Sequence, residues 1–535
     1  MKIQTFDTTL RDGTQGEKVS FSVDEKLRIA RKLDEFGFDY IEGGWPGSNP
    51  KDALFFDGAK KIDWQHAKIC AFGSTRRSGV SAKKDGNLNM LLAAETPTVT
   101  IFGKTWIKHL EKALLVTREE NDAMITESVA WLKENGREVI YDAEHFFDGY
   151  KSDPEYAMQT LRAAQQGGAD ILTLCDTNGG TLPHEISEIV AHVRKNIDGV
   201  LGIHAHNDSE LAVANSIAAV VAGARHVQGT INGFGERCGN ANILSVIANL
   251  QLKLKFQCLD PQALKHLTEL SNFVFELANL APRDEAAFIG RSAFAHKGGV
   301  HVSAVMKDPT TYEHINPEAV GNRRRVLVSD LSGRSNVKYK MSELDLADGD
   351  AAETGKIVQE IKKLENEGYH FEAAEASFEL LVQRNRELVP AFFDLQGFRI
   401  SVERDSHHVI PRSEASIRVI VDGHVEHTAA EGDGPVNALD NALRKALLRF
   451  YPDVALMHLI DYKVRVLSED DGTAAKVRVL IESQCGNDCW TTIGVSENII
   501  EASWEALVDS FTFFLYKKHP SQVQNGKKEK SISVA

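Results

Sequence analysis

Over the first 255 or so residues, short runs of apolar and β-branched residues alternate with longer stretches whose apolar positions recur at helical spacing. Eight strands are predicted: near 3–9, 40–44, 68–72, 98–102, 138–144, 170–176, 200–206 and 226–231. Between them, segments such as 23–37 carry Val23, Leu27, Ala30 and Leu33–Phe36 on one helical face. Eight strand–helix units in about 250 residues have the rhythm of a (β/α)8 barrel. An open doubly wound sheet has the same rhythm and is the alternative.

From about residue 256 the pattern becomes more helical and more charged, with Gly-rich and basic islands at 294–301 (FAHKGGVH) and 321–337. From about 390 it changes to three strands and a helix, then repeats that set: GFRISVERDS, ASIRVIVDG, HVEHTAA and the helix after GDGP, followed by HLIDYKVRVLS, AAKVRVLIES, WTTIGVS and the helix from 497. Such a duplication predicts a small α/β domain with internal pseudo-symmetry. The expected division is a catalytic barrel at 1–265, helical linker subdomains contributing to the active site at 266–388, a regulatory domain at 389–520 and a disordered tail at 521–535. The fold class is α/β.

Composition narrows the function classes. A formal net charge of -15 argues against a nucleic-acid partner. The N-terminus lacks the apolar core of a signal peptide, and no run approaches the ~18 apolar residues of a membrane span. A cytoplasmic protein without membrane contact is expected. The six cysteines are too sparse for a disulfide-stapled domain and read as reduced thiols; the CGNDC pair at 485 and 489 has no second pair at zinc spacing.

The chemistry concentrates at predicted strand ends. His204 and His206 in HAHND lie two apart on a strand, so both point to one face. In a closed barrel that face opens into the mouth where such enzymes place catalytic groups. Asp12, just past the first strand, is close enough to join them, because strands seven, eight and one are consecutive around the ring. Two imidazoles and a carboxylate suit a divalent cation, with Mg, Mn, Zn and Co equally compatible. Asn240, in GFGERCGN, is placed as a weaker fourth ligand, and the glycines of that motif read as turn formers rather than a dinucleotide fingerprint. The other reading of His-x-His is a pair hydrogen-bonded within a barrel. Arg11 suits stabilisation of a developing oxyanion, or a surface salt bridge. Glu144 after strand five and Thr177 after strand six face the same mouth, Thr177 as a donor to a substrate carboxylate; either could instead cap a helix.

DTTLRDGTQ, HAHND and GFGERCGN, in this order, together resemble the metal-dependent acyl-transfer barrels that include 2-isopropylmalate, homocitrate and citramalate synthases. The duplicated C-terminal segment, with GDGPVNAL and GVSENIIEAS, resembles that family's amino-acid-binding domain. The resemblance implies a Claisen condensation of acetyl-CoA with a 2-oxo acid held by the metal, with Arg11, Asp12 and Thr177 on the substrate side. It implies a base from the GGVH segment: His301, with Tyr312 in support and His296 as rival. It also implies a homodimer, because that region reaches the neighbouring subunit. FGSTRR, IFGKTW and AEHFFDGYK are most similar to the citramalate branch, which implies pyruvate as substrate and isoleucine as regulator. Two departures stand out: Asp142 replaces a tyrosine of the pyruvate pocket, and Arg76–Arg77 replace apolar lining. A 2-isopropylmalate synthase, a metal-dependent lyase or aldolase on the same barrel, and an amino-acid sensor with an inactive barrel are the competing readings.

Overall fold

The computed structural model describes residues 1–329, 331–344, 346, 350–404, 411–467 and 475–519. The tail expected to be disordered, 521–535, lies outside the described residues.

Eight parallel strands form a closed barrel in sequence order: β1 (Gln4–Asp7), β2 (Tyr40–Gly44), β3 (Lys68–Ser74), β4 (Thr98–Lys104), β5 (Glu138–Glu144), β6 (Ile171–Asp176), β7 (Val200–Ala205) and β8 (His226–Gly229). Closure is made by β8 against β1, with Gln4 opposite His226 and Asp7 opposite Gly229. The open sheet is thereby excluded.

Two-residue periodicity sorts the strand side chains into two sets. Outward residues such as Ile41, Ile69, Val99, Ile101, Val139, Leu172, Leu201 and Val227 join one large core with the surrounding helices. Inward residues Phe6, Tyr40, Cys70, Ile140 and Ile171 form a separate small apolar floor inside the barrel. Above that floor the interior is polar rather than aliphatic: Glu42, Asp142, Thr173, His204 and Gln228 are all buried. A barrel interior is ordinarily filled by branched apolar side chains, so this polar layer needs a reason beyond stability.

The helix Val23–Phe36 begins at a capping box, with Ser22 and Glu25 each accepting the other's backbone N–H, and ends at Gly37 in the left-handed conformation. Its buried face adds Lys26 and Ile29 to Ala30 and Leu33, with Leu27 half-buried against the same core. Lys26 can be buried because its ammonium donates to Asp52 at 2.6 Å and to the Gly43 carbonyl at 3.1 Å. The pattern of apolar residues could not anticipate a buried ion pair.

The chain divides into two compact units: residues 1–294 with 313–324, and residues 295–312 with 325–535. In the second unit, helices Arg334–Glu343, Ala351–Glu367 and Glu375–Asn385 supply most of a core around Val337, Ile357, Ile361 and Phe378. The duplication is present: Asp394–Glu403, Arg412–Val421 and His424–Gly432 form one antiparallel sheet before helix Pro435–Leu447, and His458–Val466, Val477–Cys485 and Asp488–Ser496 form another before helix Ile499–Lys518. Both first strands break register at the same place, between Leu395 and Gly397 and between Leu459 and Asp461. Cys485 and Cys489 flank a hairpin in which Cys489 pairs with Gln484, so the two thiols point to opposite faces. All six cysteines are free.

Candidate metal centre at the barrel mouth

The carboxyl ends of β7, β8 and β1 bring three side chains together. Asp12, His204 and His206 are all buried, and one ligand atom from each lies within 4.8 Å of the others. His204 Nε2 is 3.3 Å from His206 Nε2 and 3.5 Å from Asp12 Oδ2; His206 Nε2 is 4.0 Å from the same oxygen. Burial alone would raise the Asp12 carboxyl, but the Arg11 guanidinium beside it holds it down at about 2. Burial pushes His206 down to about 3, with His204 adding to the effect, and lowers His204 as well. A carboxylate and two neutral imidazoles are the protonation states that a divalent cation requires.

The donor set also carries unspent capacity. Asp12 Oδ1, Asn240 Oδ1 and His206 Nδ1 are buried without a hydrogen-bond partner. A buried polar atom left unpaired costs about 1–3 kcal/mol, a cost that coordination by Asp12 and Asn240 would offset. Asn240 is tied to the centre by a backbone bridge to His206. It is also held by the turn before it: a Cβ on Gly235 would meet Asn240 Nδ2 at 2.2 Å, and one on Gly239 would meet the Gly233 carbonyl at 2.0 Å. Both glycines have positive φ, so a side chain at Gly235 would displace Asn240 and one at Gly239 would displace the backbone at Gly233. The residues fit a divalent cation.

Two supporting residues, Gln228 and Glu42, escaped the sequence reading, and a third, Asp142, was noted there only as a departure from the pocket lining. His204 Nδ1 lies 2.9 Å from Gln228 Oε1, while Gln228 Nε2 donates to Asp142 Oδ1 at 2.9 Å. With its amide nitrogen committed to Asp142, Gln228 presents oxygen to His204, so Nδ1 carries the proton and Nε2 is free as a ligand. Asp142 is itself pushed up to about 8, chiefly by burial and further by Glu42. Glu42, fully buried, accepts from Arg11 Nε at 2.7 Å and from Thr8 Oγ1 at 2.6 Å. Arg11 also donates to Asp12 at 3.0 Å and lies over the Phe72 ring at 3.7 Å. It is therefore a fixed cation beside the ligands, not a surface salt bridge. Loss of the Gln228 contact, as in Gln228→Leu, is expected to weaken metal affinity about 10–100-fold. Titration with Mn(II) followed by EPR measures this; an unchanged affinity would refute the tautomer argument.

Other candidates are placed as follows. Glu144, at the end of β5, pairs with Lys104. Thr177 Oγ1 accepts the backbone N–H of His145 at 2.9 Å. His301 and Tyr312 belong to the second unit, where both are exposed and stack at 4.3 Å between ring centres. His296 is buried in a two-residue strand of that unit. Arg76 does not line the barrel interior: its guanidinium turns outward to Glu127 at 2.6 Å and Glu120 at 2.9 Å on helix Arg118–Glu134. The mouth beside Arg11 is walled instead by Phe72, Phe102 and Trp45, mutually 5.5–5.8 Å apart between ring centres.

Residues 2–274 match the family described as HMGL-like, residues 288–369 the homocitrate synthase post-HMGL domain-like family, and residues 372–515 the LeuA allosteric (dimerisation) domain. The chain is 58% identical over 518 residues to an (R)-citramalate synthase of Aquifex aeolicus, an alignment covering 96% of this chain and 98% of that protein. It is 57% identical over 528 residues to the (R)-citramalate synthase of Geobacter sulfurreducens, covering 98% and 99%. The chain belongs to the (R)-citramalate synthase family. An archaeal relative of the same name, from Sulfolobus acidocaldarius, is 45% identical over 516 residues, covering 96% of this chain and 97% of that one. Members of this family are acyltransferases, so the buried cluster at the mouth belongs to an enzyme. No helix among the described residues is long and apolar enough to cross a membrane.

Proposed function

We propose that this chain condenses acetyl-CoA with pyruvate and water to give (R)-citramalate and free CoA. The observation that carries the reading is the buried Arg11–Asp12–His204–His206 cluster at the barrel mouth, in a chain aligned end to end with enzymes of that name.

A divalent cation held by Asp12, His204, His206 and Asn240 would supply Lewis acidity toward the carbonyl and carboxylate oxygens of the oxo acid. Everything else falls to side chains. Thr177 donates to the pyruvate carboxylate while its oxygen keeps the His145 N–H. Arg11, held by Glu42, faces the carbonyl oxygen that becomes an alkoxide as the new C–C bond forms. We assign His301 as the base that removes a proton from the acetyl methyl group, with Tyr312 stacked on it as the supporting or water-activating group. Glu144 is assigned to proton transfer at the same mouth. Thioester hydrolysis then releases CoA and makes the condensation irreversible.

The aromatic wall of Trp45, Phe72 and Phe102 favours a small oxo acid, because rigid rings leave less room for a branched side chain than aliphatic residues that can repack. The second reading, 2-isopropylmalate synthase, needs only a wider pocket. Free-thiol release from acetyl-CoA, measured with pyruvate and with 2-oxoisovalerate side by side, separates them. Faster turnover with pyruvate is expected, and the reverse order refutes the assignment.

We extend the proposal to a homodimer in the cytoplasm, where free thiols persist, catalysing the first step of a threonine-independent isoleucine route. Feedback by isoleucine through the C-terminal duplication is part of this proposal: adding isoleucine to the same assay should lower turnover, and an indifferent rate would remove it.

A further inference from the structure

The loops after β6, β7 and β8 carry Thr177, His206 and Asn240, and one arginine spans all three. Arg237 sits in the GFGERCGN turn with φ of +57, a left-handed conformation uncommon for a non-glycine residue. Its guanidinium is used as a fork. Nε donates to Asp208 Oδ1 at 2.8 Å and one terminal nitrogen to Asp208 Oδ2 at 3.0 Å. That same nitrogen donates to the Thr177 carbonyl at 2.7 Å, and the other terminal nitrogen reaches Glu236 at 3.3 Å.

Each partner lies one short step from a ligand or substrate group. Asp208 is two residues from His206 and Arg237 three from Asn240. Thr177 is the residue whose hydroxyl holds the His145 N–H, next to Glu144. Close packing reinforces the clasp: Gly179, with φ of +62, leaves a Cβ only 2.7 Å from Asp208 Oδ2. As an ion pair this contact is unremarkable for stability. The Arg237 side chain is 39% exposed, and exposed pairs contribute about 0–1 kcal/mol. The geometry is nevertheless more demanding than stability requires, because two loops are bonded by one planar group anchored in a third.

We propose that Arg237 is a positioning residue: its guanidinium fork, through Asp208 and the Thr177 carbonyl, holds the loops of His206, Asn240 and Thr177 in the register that binds the cation and the 2-oxo acid together. This rests on the reaction proposed above. It does not touch substrate itself. Its removal loosens two binding events at once, while the β7–β8 strand pairing beneath, and the backbone bonds from Ala241 N–H to the Ala205 carbonyl and from Asn207 N–H to the Gly239 carbonyl between the two loops themselves, keep the barrel intact.

The test compares wild type, Arg237→Ala, Arg237→Lys and Asp208→Asn in three measurements: Mn(II) affinity by EPR titration, KM and kcat for pyruvate, and Tm. Arg237→Ala is expected to raise both the Mn(II) Kd and the pyruvate KM about tenfold or more, with Tm nearly unchanged. Arg237→Lys should recover little, since an ammonium cannot reproduce the fork. Asp208→Asn should shift the same two constants in the same direction, which keeps the test decisive if Arg237→Ala folds poorly. Wild-type constants in Arg237→Ala, or full recovery in Arg237→Lys, overturn the proposal. A wild-type protein that binds Mn(II) but leaves pyruvate unused sinks the proposed reaction while the metal-affinity comparison still decides the role of Arg237.

Discussion

His206→Ala is expected to lose its metal on purification and with it nearly all turnover, a fall in kcat of about 10³-fold or more. The imidazole occupies one corner of a compact triangle, 3.3 Å from the His204 nitrogen and 4.0 Å from the Asp12 oxygen. It is delivered neutral because burial and its neighbour depress its basicity to about 3. In the proposed site alanine would remove a ligand, leaving one imidazole, one carboxylate and the weak amide oxygen of Asn240. Lewis-acid stabilisation contributes several kcal/mol, and each ~1.4 kcal/mol is a factor of ten in rate. Metal content by elemental analysis and thiol release from acetyl-CoA provide independent readouts, with circular dichroism to confirm the fold. Activity equal to wild type would refute the metal reading altogether.

Much of this cluster was legible because strand geometry converts sequence spacing into direction. His204 and His206 are two apart, and a β-strand has no choice but to face them the same way. Asp12 followed from ring order, which holds only if β8 pairs with β1, a contact between residues more than 200 apart. The supporting layer was harder to see. Glu42 is the lone charged residue of YIEGG and Gln228 stands between His226 and Thr230 in HVQGTI, and each reads locally as an irregular strand rather than as half of a cross-barrel bond. Parity with the ligands would have exposed them, since Gln228 sits beside His204 once the register of β7 and β8 is known. Arg76 failed for another reason: the family resemblance set it among the pocket lining, whereas two glutamates on a neighbouring helix draw it outward. Asp142 was noticed as a departure from the family, but its task, holding the amide of Gln228, depends on a contact 86 residues away.

Arg11 gives the second large effect, and its environment says how the loss should be distributed. Burial works against a charged guanidinium, yet Glu42 and Asp12 outweigh it and raise the Arg11 pKa above its ordinary value, so the cation is permanent. Three constraints act on one planar group: Nε on Glu42, a terminal nitrogen on Asp12 and the face on Phe72. A donor fixed this firmly costs no reorganisation when charge appears, which is the condition under which oxyanion stabilisation is strong. Arg11→Ala is therefore expected to lower kcat about 10²–10³-fold, the range for a single oxyanion donor. If the contact forms only in the transition state, kcat and kcat/KM should fall together. Arg11→Lys keeps the charge but loses the simultaneous grip on Glu42 and Asp12 and the stacking on Phe72, so it should recover less than a tenth of the rate. Glu42→Gln, which leaves Arg11 in place and weakens its anchor, should give an intermediate loss. A rise in pyruvate KM at constant kcat in Arg11→Ala would instead make Arg11 a ground-state binding residue, and would move the task of meeting the developing charge to another group at the mouth.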